Sequence, residues 1–214
     1  MSSLDPDAEM LAALGRQAKK QLRARLAATR RALPPAAVLA RSTRIIEHLG
    51  RIEHVREARS VALFWPMEAR AEVDLRQLDQ TLGERGTARY YPFMVPKGES
   101  YSTGFRRIAQ ASDLELRGRK FVEPPPSTPA AVRGEVDVVL VPALAVTPEG
   151  HRLGFGSGFY DATLPDVAPP ALTIVVAFSF QVLGELFIEA HDVACDLVVT
   201  DAGIIDPKGL LAPR

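Results

Sequence analysis

The sequence predicts an α/β protein: a layered three-layer fold with a mostly parallel central sheet flanked by helices. Three observations carry this reading. Short strand-like runs at 61–65, 88–95, 136–144, 173–179 and 197–200 alternate with helical patterns, the order that places a parallel sheet between helices. One of these runs leads into a loop with a glycine at every second position, Arg152-Leu-Gly-Phe-Gly-Ser-Gly-Phe-Tyr-Asp161, and a helix pattern opens at Gly158 and runs to Leu164. The length, 214 residues, suits one core, so residues 1–214 are expected to form a single domain, with 96–134 as an irregular loop region.

Residues 7–33 read as a long amphipathic helix, because Leu11, Leu14, Ala18, Leu22, Leu26 and Leu33 recur at three- and four-residue steps and Pro34-Pro35 ends the run. Lys19, Arg23 and Arg30 lie along one edge of that apolar arc, where they can reach into a cleft. Arg25 falls inside it and must snorkel or find a partner. A second helix is expected over 36–50, with Val38, Ile45, Ile46 and Leu49 inward. The strand 61–65 ends at Pro66, and Asp74 is placed to cap a helix that continues to Leu82. The run Glu123-Pro-Pro-Pro-Ser-Thr-Pro129 excludes helix and central strand, and residues 206–214 read as frayed.

Composition narrows the function. Lys plus Arg equals Asp plus Glu at 26 each, which argues against a whole-protein partnership with nucleic acid or an anionic membrane. No apolar run approaches bilayer length, and the N-terminus lacks the basic-then-apolar order of a secretory signal; a cytoplasmic protein is expected. Cys195 is the single cysteine, which rules out an internal disulfide and any cysteine-based metal cage. His48, His54, His151 and His191 show no metal spacing. The nine basic residues between Arg16 and Arg44 read mainly as a solvated face, with Lys19 and Arg23 as exceptions: two cations four apart repel unless an anion lies between them.

The glycine loop is the chief candidate site. Gly154, Gly156 and Gly158 let successive backbone N–H groups close around an anion, Arg152 adds charge, and a helix amino end follows. The spacing is neither that of a Walker loop nor that of a dinucleotide fingerprint, and a structural turn accounts for bare glycines equally well. The neighbours tip the balance. Asp161 and Asp192 supply carboxylates of the kind magnesium takes beside phosphate oxygens, although either could merely cap a helix. Glu72, at the carboxyl end of the first strand, is either a surface group or the acceptor for the N–C–N edge of a heterocycle. Phe64, Trp65, Tyr90, Tyr91, Phe93 and Met94 concentrate aromatic and sulfur surface suited to a flat ring, with core packing the simpler account of any one of them.

With these residues in place the chain resembles the 5-formyltetrahydrofolate cyclo-ligase family over most of its length. The likeness rests on Lys19-Lys-Gln-Leu-Arg23, Glu72-Val-Asp74, Glu123-Pro124, Val141-Pro142 and above all Arg152 to Asp161, followed in order by Ala177-Phe178, Gln181, Asp192 and Asp196. The resemblance implies an ATP- and Mg2+-dependent conversion of 5-formyltetrahydrofolate to 5,10-methenyltetrahydrofolate, with release of ADP and phosphate. It implies that Lys19 and Arg23 hold ATP phosphates and that Arg152, Leu153, Gly154, Phe155, Gly156, Ser157, Gly158, Phe159 and Tyr160 wrap the nucleotide. By the same likeness Asp161 and Asp192 bind magnesium, Trp65, Met67 and Glu72 hold the pterin, and Arg152 and Tyr160 stand at the formyl group as catalytic residues. The implied partners are therefore small molecules, a reduced folate and ATP, with no nucleic acid, no membrane, and a monomer or weak homodimer. Ala143, Thr147 and Ser157 stand where the family usually has Gly, Asp, and Gly or Lys. The alternatives are a non-catalytic nucleotide- or folate-binding relative and, last, an RNA or membrane adaptor using the basic first helix.

Overall fold

The computed structural model describes residues 6–98, 100–117, 121–189 and 192–211. Its centre is a seven-stranded sheet in the order β3-β2-β1-β4-β7-β8-β9. The strands are β1 (Ser60–Ala62), β2 (Ala88–Lys97), β3 (Ser100–Ile108), β4 (Val138–Pro142), β7 (Leu172–Val176), β8 (Leu197–Thr200) and β9 (Gly203–Ile205), while β5 (Ala145–Val146) and β6 (Arg152–Leu153) form a separate two-stranded ribbon. β2, β1, β4, β7 and β8 run parallel, and the edge strands β3 and β9 are antiparallel.

Alternation along the strands builds two cores. On β4, Val138 and Leu140 face one layer while Val139 and Val141 face the other. The first layer is completed by Ile45 and Leu49 of α2 (Pro35–Leu49), Val55 of α3 (Glu53–Glu57), and Leu78 and Leu82 of α4 (Arg76–Glu84). The second receives Phe159, Leu164 and Val167 of α5 (Phe159–Val167). Helices on both faces of a mostly parallel sheet make the three layers expected.

Several elements differ from their sequence reading. The stretch 96–134 is regular in its first part, since β3 completes a hairpin with β2, pairing Arg89 with Ile108 through to Lys97 with Ser100. Within the tail expected to fray, residues 206–211 form a turn in which Asp206 accepts the N–H groups of Leu210 and Leu211, and 212–214 lie outside the described residues. Asp74 lies one residue ahead of the capping position of α4, which Leu75 occupies, and accepts the N–H and guanidinium of Arg76 instead.

The first helix, α1 (Pro6–Arg31), departs most in orientation. Leu11 and Leu14 are 64% and 57% exposed, Ala18 and Arg25 are also exposed, and only Leu22, Leu26 and Ala27 join a small core with Leu144, Ala145 and Leu153. The inward stripe is instead Gly15, Lys19, Leu26 and Arg30, one helical face by its spacing. Gly15 lies under the Phe187 ring, where a Cβ would stand 2.4 Å from it unless the ring moved aside. Leu22 and Leu26 dock this helix together with the buried Lys19 and Arg30, which turns cations toward the carboxyl end of the sheet.

Candidate active site

A cavity of about 400 Å3 lies beyond the carboxyl ends of β1 and β4. The chain passes from β1 outward to β2 on one side, and β4 and β7 continue on the other, so the cavity sits where the strand order reverses, the usual ligand crevice of open α/β sheets. The loop after β1 contributes Phe64, Trp65, Met67, Arg70 and Glu72. The segment after β4 contributes Arg152 to Asp161, the one after β7 contributes Glu189 and Asp192, and α1 lends Lys19 and Arg23. The residues expected at the phosphates, the metal, the pterin and the formyl group therefore line one cavity, whereas Tyr90, Tyr91, Phe93 and Met94, offered for a flat ring, do not. Of the four histidines, His191 lies outside the described residues.

The glycine loop is held from α1, because Arg23 donates Nε to the Gly154 carbonyl at 3.0 Å. Gly156 (φ 88°) and Gly158 (φ 66°) occupy the left-handed region, where a Cβ is costly. Gly154 does not, and a Cβ there would meet nothing within 4 Å, so the alternate glycines are not equivalent. Gly158 caps α5 without a side-chain hydrogen bond, which leaves the first amides of the helix available to an anion.

Two carboxylates frame this cradle, each balanced by a cation. Arg152 donates Nη2 to Asp161 Oδ1 at 2.7 Å, and its Nη1 binds the Val193 carbonyl. Lys19, 8% exposed, donates Nζ to Glu189 Oε2 at 2.7 Å and to Asp192 Oδ2 at 2.9 Å. Burial alone would lower the Lys19 pKa; the hydrogen bonds and charges of Glu189 and Asp192 outweigh it and raise the value above 10.5, so the ammonium is charged at neutral pH. Among the described residues no three His, Cys, Asp or Glu side chains cluster as a protein cage for a metal. Two acids beside a phosphate cradle are instead the donor chemistry that a magnesium ion would take together with phosphate oxygens.

The opposite end of the cavity is built around Glu72. Its Oε2 accepts the Met67 N–H at 2.9 Å, and its Oε1 lies 3.7 Å from both Arg30 and Arg70. Burial pushes this carboxyl above its ordinary 4.5, while the Met67 N–H and the two arginines oppose the rise. Arg30, 2% exposed, donates Nε to the Arg70 carbonyl at 2.7 Å and Nη1 to the Ala143 carbonyl at 3.3 Å; burial pulls its guanidinium down to about 10, which leaves it charged at neutral pH. Between the two ends sits Phe155, with the guanidinium carbons of Arg30 and Arg70 each 5.0 Å from its ring centre. Tyr160 packs edge-on to Phe159 with centroids 4.9 Å apart, and burial raises its hydroxyl pKa.

Arg70 and Glu189 are site residues that sequence reasoning missed. Arg70 lies in a short exposed turn, and Glu189 on a strandless loop 170 positions from its lysine, so neither carries a local pattern. Ala71 gives no signal either, although it takes left-handed backbone angles (φ 46°, ψ 49°) between Arg70 and Glu72, where strain commonly marks function.

The fold and site define a class: a doubly wound α/β protein with an anion cradle, two paired acids and a buried carboxylate around one crevice. The 5-formyltetrahydrofolate cyclo-ligase family profile matches residues 15–201, and the chain belongs to that family. Among its relatives, a 5-formyltetrahydrofolate cyclo-ligase of Mycolicibacterium smegmatis is 47% identical over 91 residues, 42% of this chain and 44% of that protein. The chain thus aligns with less than half of that relative's length. The Escherichia coli K12 5-formyltetrahydrofolate cyclo-ligase is 28% identical over 69% of this chain and 80% of its own. The solved structure of Aquifex aeolicus 5,10-methenyltetrahydrofolate synthetase superposes with a TM-score of 0.76 at 28% identity, covering 92% of this chain and 96% of that one.

Proposed function

We propose that the chain is an enzyme converting 5-formyltetrahydrofolate to 5,10-methenyltetrahydrofolate at the expense of ATP, and that the cavity after β1 and β4 is its active site. The observation that carries this is convergence: phosphate-type donors, paired acids and a buried heterocycle-type acceptor open into one 400 Å3 space. Lys19, Arg23, the amides of the 154–158 loop and the amino end of α5 hold the phosphates. Asp161 and Asp192 would hold magnesium, which would supply neutralising charge beside the phosphates. Arg152 holds Asp161 in place through the bond at 2.7 Å, while Tyr160 and the Trp65–Met67 segment wall the folate.

Glu72 accepts the pterin edge and so fixes the ring while the formyl group faces the nucleotide. The formyl oxygen forms a bond to the γ-phosphorus as the bond to the β-phosphate oxygen breaks, and ADP leaves with that electron pair. N10 then attacks the activated carbon and loses its proton, and phosphate departs with the C–O pair as the ring closes. No protein group enters a covalent bond; the chain supplies position and charge. Nothing in this chemistry needs a membrane or a nucleic acid, and cytoplasmic folate pools are its natural setting.

Stoichiometry tests the reading. With 5-formyltetrahydrofolate and Mg-ATP the protein should release one ADP and one phosphate for each folate consumed. Nucleotide hydrolysis that ignores the folate, or no turnover with both ligands bound, would overturn it; the second result favours the non-catalytic relative.

A further inference from the structure

We propose that Arg30 is a positioning residue for the folate end of this site: from α1 it fixes Glu72 and the turn that carries it, and it holds the carboxylate in the ionised form that a pterin N–C–N edge requires. This inference rests on the cyclo-ligase reading above. Arg30 does not line the cavity; it stands behind Glu72 and so acts through it. Each nitrogen of its guanidinium has a separate task. Nε donates to the Arg70 carbonyl at 2.7 Å, which pins the 67–72 turn, and Nη1 donates to the Ala143 carbonyl at 3.3 Å, which ties that turn to the end of β4. The Ala143 carbonyl also accepts Gln181 Nε2 at 3.0 Å, and Gln181 Oε1 takes the Phe178 N–H at 2.9 Å, so the anchor extends to the segment after β7. Nη2 faces Glu72 Oε1 at 3.7 Å.

That distance is a charge contact and not a hydrogen bond, so Arg30 favours the anion without filling an oxygen that the pterin needs. With side chains 3% and 5% exposed, the pair is shielded from water, and there a neighbouring guanidinium weighs heavily on a carboxyl group. Among the described residues, the other charged or titratable groups that face Glu72 are Arg70 from its own turn and Tyr160 from α5. The Arg70 side chain is a third exposed and partly screened by solvent, and the buried Tyr160 hydroxyl stays neutral. Of the two cations, Arg30 is therefore the stronger influence on Glu72. The two carbonyl bonds alone would serve the fold; the third nitrogen serves the site.

The test is calorimetric titration of 5-formyltetrahydrofolate across pH on the wild type, Arg30→Gln, Arg30→Lys, Glu72→Gln and the double variant Arg30→Gln/Glu72→Gln, with near-ultraviolet circular dichroism showing which proteins are folded. Without the guanidinium charge, the pH midpoint of folate binding should rise by about one unit or more, and at a pH below both midpoints Arg30→Gln should bind about tenfold or more weakly than the wild type. Arg30→Lys keeps a charge and should restore most of that shift. In the Glu72→Gln background the Arg30→Gln change should cost at least about fivefold less at the same pH, whereas an arginine serving only the fold would cost the same factor in both. An unmoved midpoint in Arg30→Gln, or equal losses in the two backgrounds, overturns this inference alone. If Arg30→Gln does not fold, Arg30→Lys decides: a midpoint near the wild type's supports the inference, and one raised by a full unit despite the retained charge overturns it. A Glu72→Gln protein that binds folate as tightly as the wild type overturns the reading of Glu72 beneath it as well.

Discussion

At the scale of single residues the site is built of pre-formed charge pairs. Lys19 is held by Glu189 and Asp192, and Asp161 by Arg152, so phosphate and metal would meet groups already oriented. Glu72 offers a direct test of the folate end. Because burial raises its pKa in the folded protein, the stability it contributes is complete below the ordinary 4.5 and is lost as pH rises through the raised value. Folate binding runs the other way, since only the ionised group accepts both N–H groups. The affinity for 5-formyltetrahydrofolate should therefore weaken as pH falls through a value above 4.5, and Glu72→Gln should bind weakly with that dependence gone; titration calorimetry across pH reads both. Lys19, Arg23, Glu72, Asp161 and Asp192 were legible in the sequence because each sits in a distinctive short pattern. Arg70, Glu189 and the fixing role of Arg30 were not, because they arise only when segments far apart in the chain meet.

At the scale of elements, the glycine-rich segment divides into positions the backbone needs and positions it does not. Gly150, which turns the β5–β6 ribbon at φ 89°, would place a Cβ 2.3 Å from the Cys195 carbonyl, whereas Gly154 has open space and ordinary backbone angles. Gly150→Ala should cost about 2 kcal/mol or more, and Gly154→Ala less than about 0.5 kcal/mol, in urea unfolding followed by circular dichroism. Equal losses at both would contradict this division. The helices α2 and α5 and the parallel strands were readable from periodicity. Strand β3 was not: polar residues and Gly104 interrupt its apolar pattern, and Gly104 lies there because the Phe93 ring of β2 covers it, with a built Cβ only 2.8 Å from that ring. The leucines of α1 misled in part, since Leu22 and Leu26 dock while Leu11 and Leu14 of the same helical period stay exposed.

At the scale of the whole molecule, the reversal of strand order between β1 and β4 opens a crevice, and α1 closes one side of it with cations. No helix among the described residues is long and apolar enough to cross a membrane. The layered fold followed from the sequence, but the antiparallel edges β3 and β9 did not, because edge strands carry only half of a buried strand's apolar signal. The arrangement has meaning only if both ligands occupy the one cavity and react there. The most direct measurement follows the near-ultraviolet absorbance of the methenyl product with 5-formyltetrahydrofolate and ATP, with and without magnesium, for the wild type and for Asp161→Asn. The account predicts a rise that needs both ATP and magnesium and falls at least about a hundredfold in a folded Asp161→Asn protein. No rise in a wild type that binds both ligands, or an undiminished rate in the variant, would contradict it.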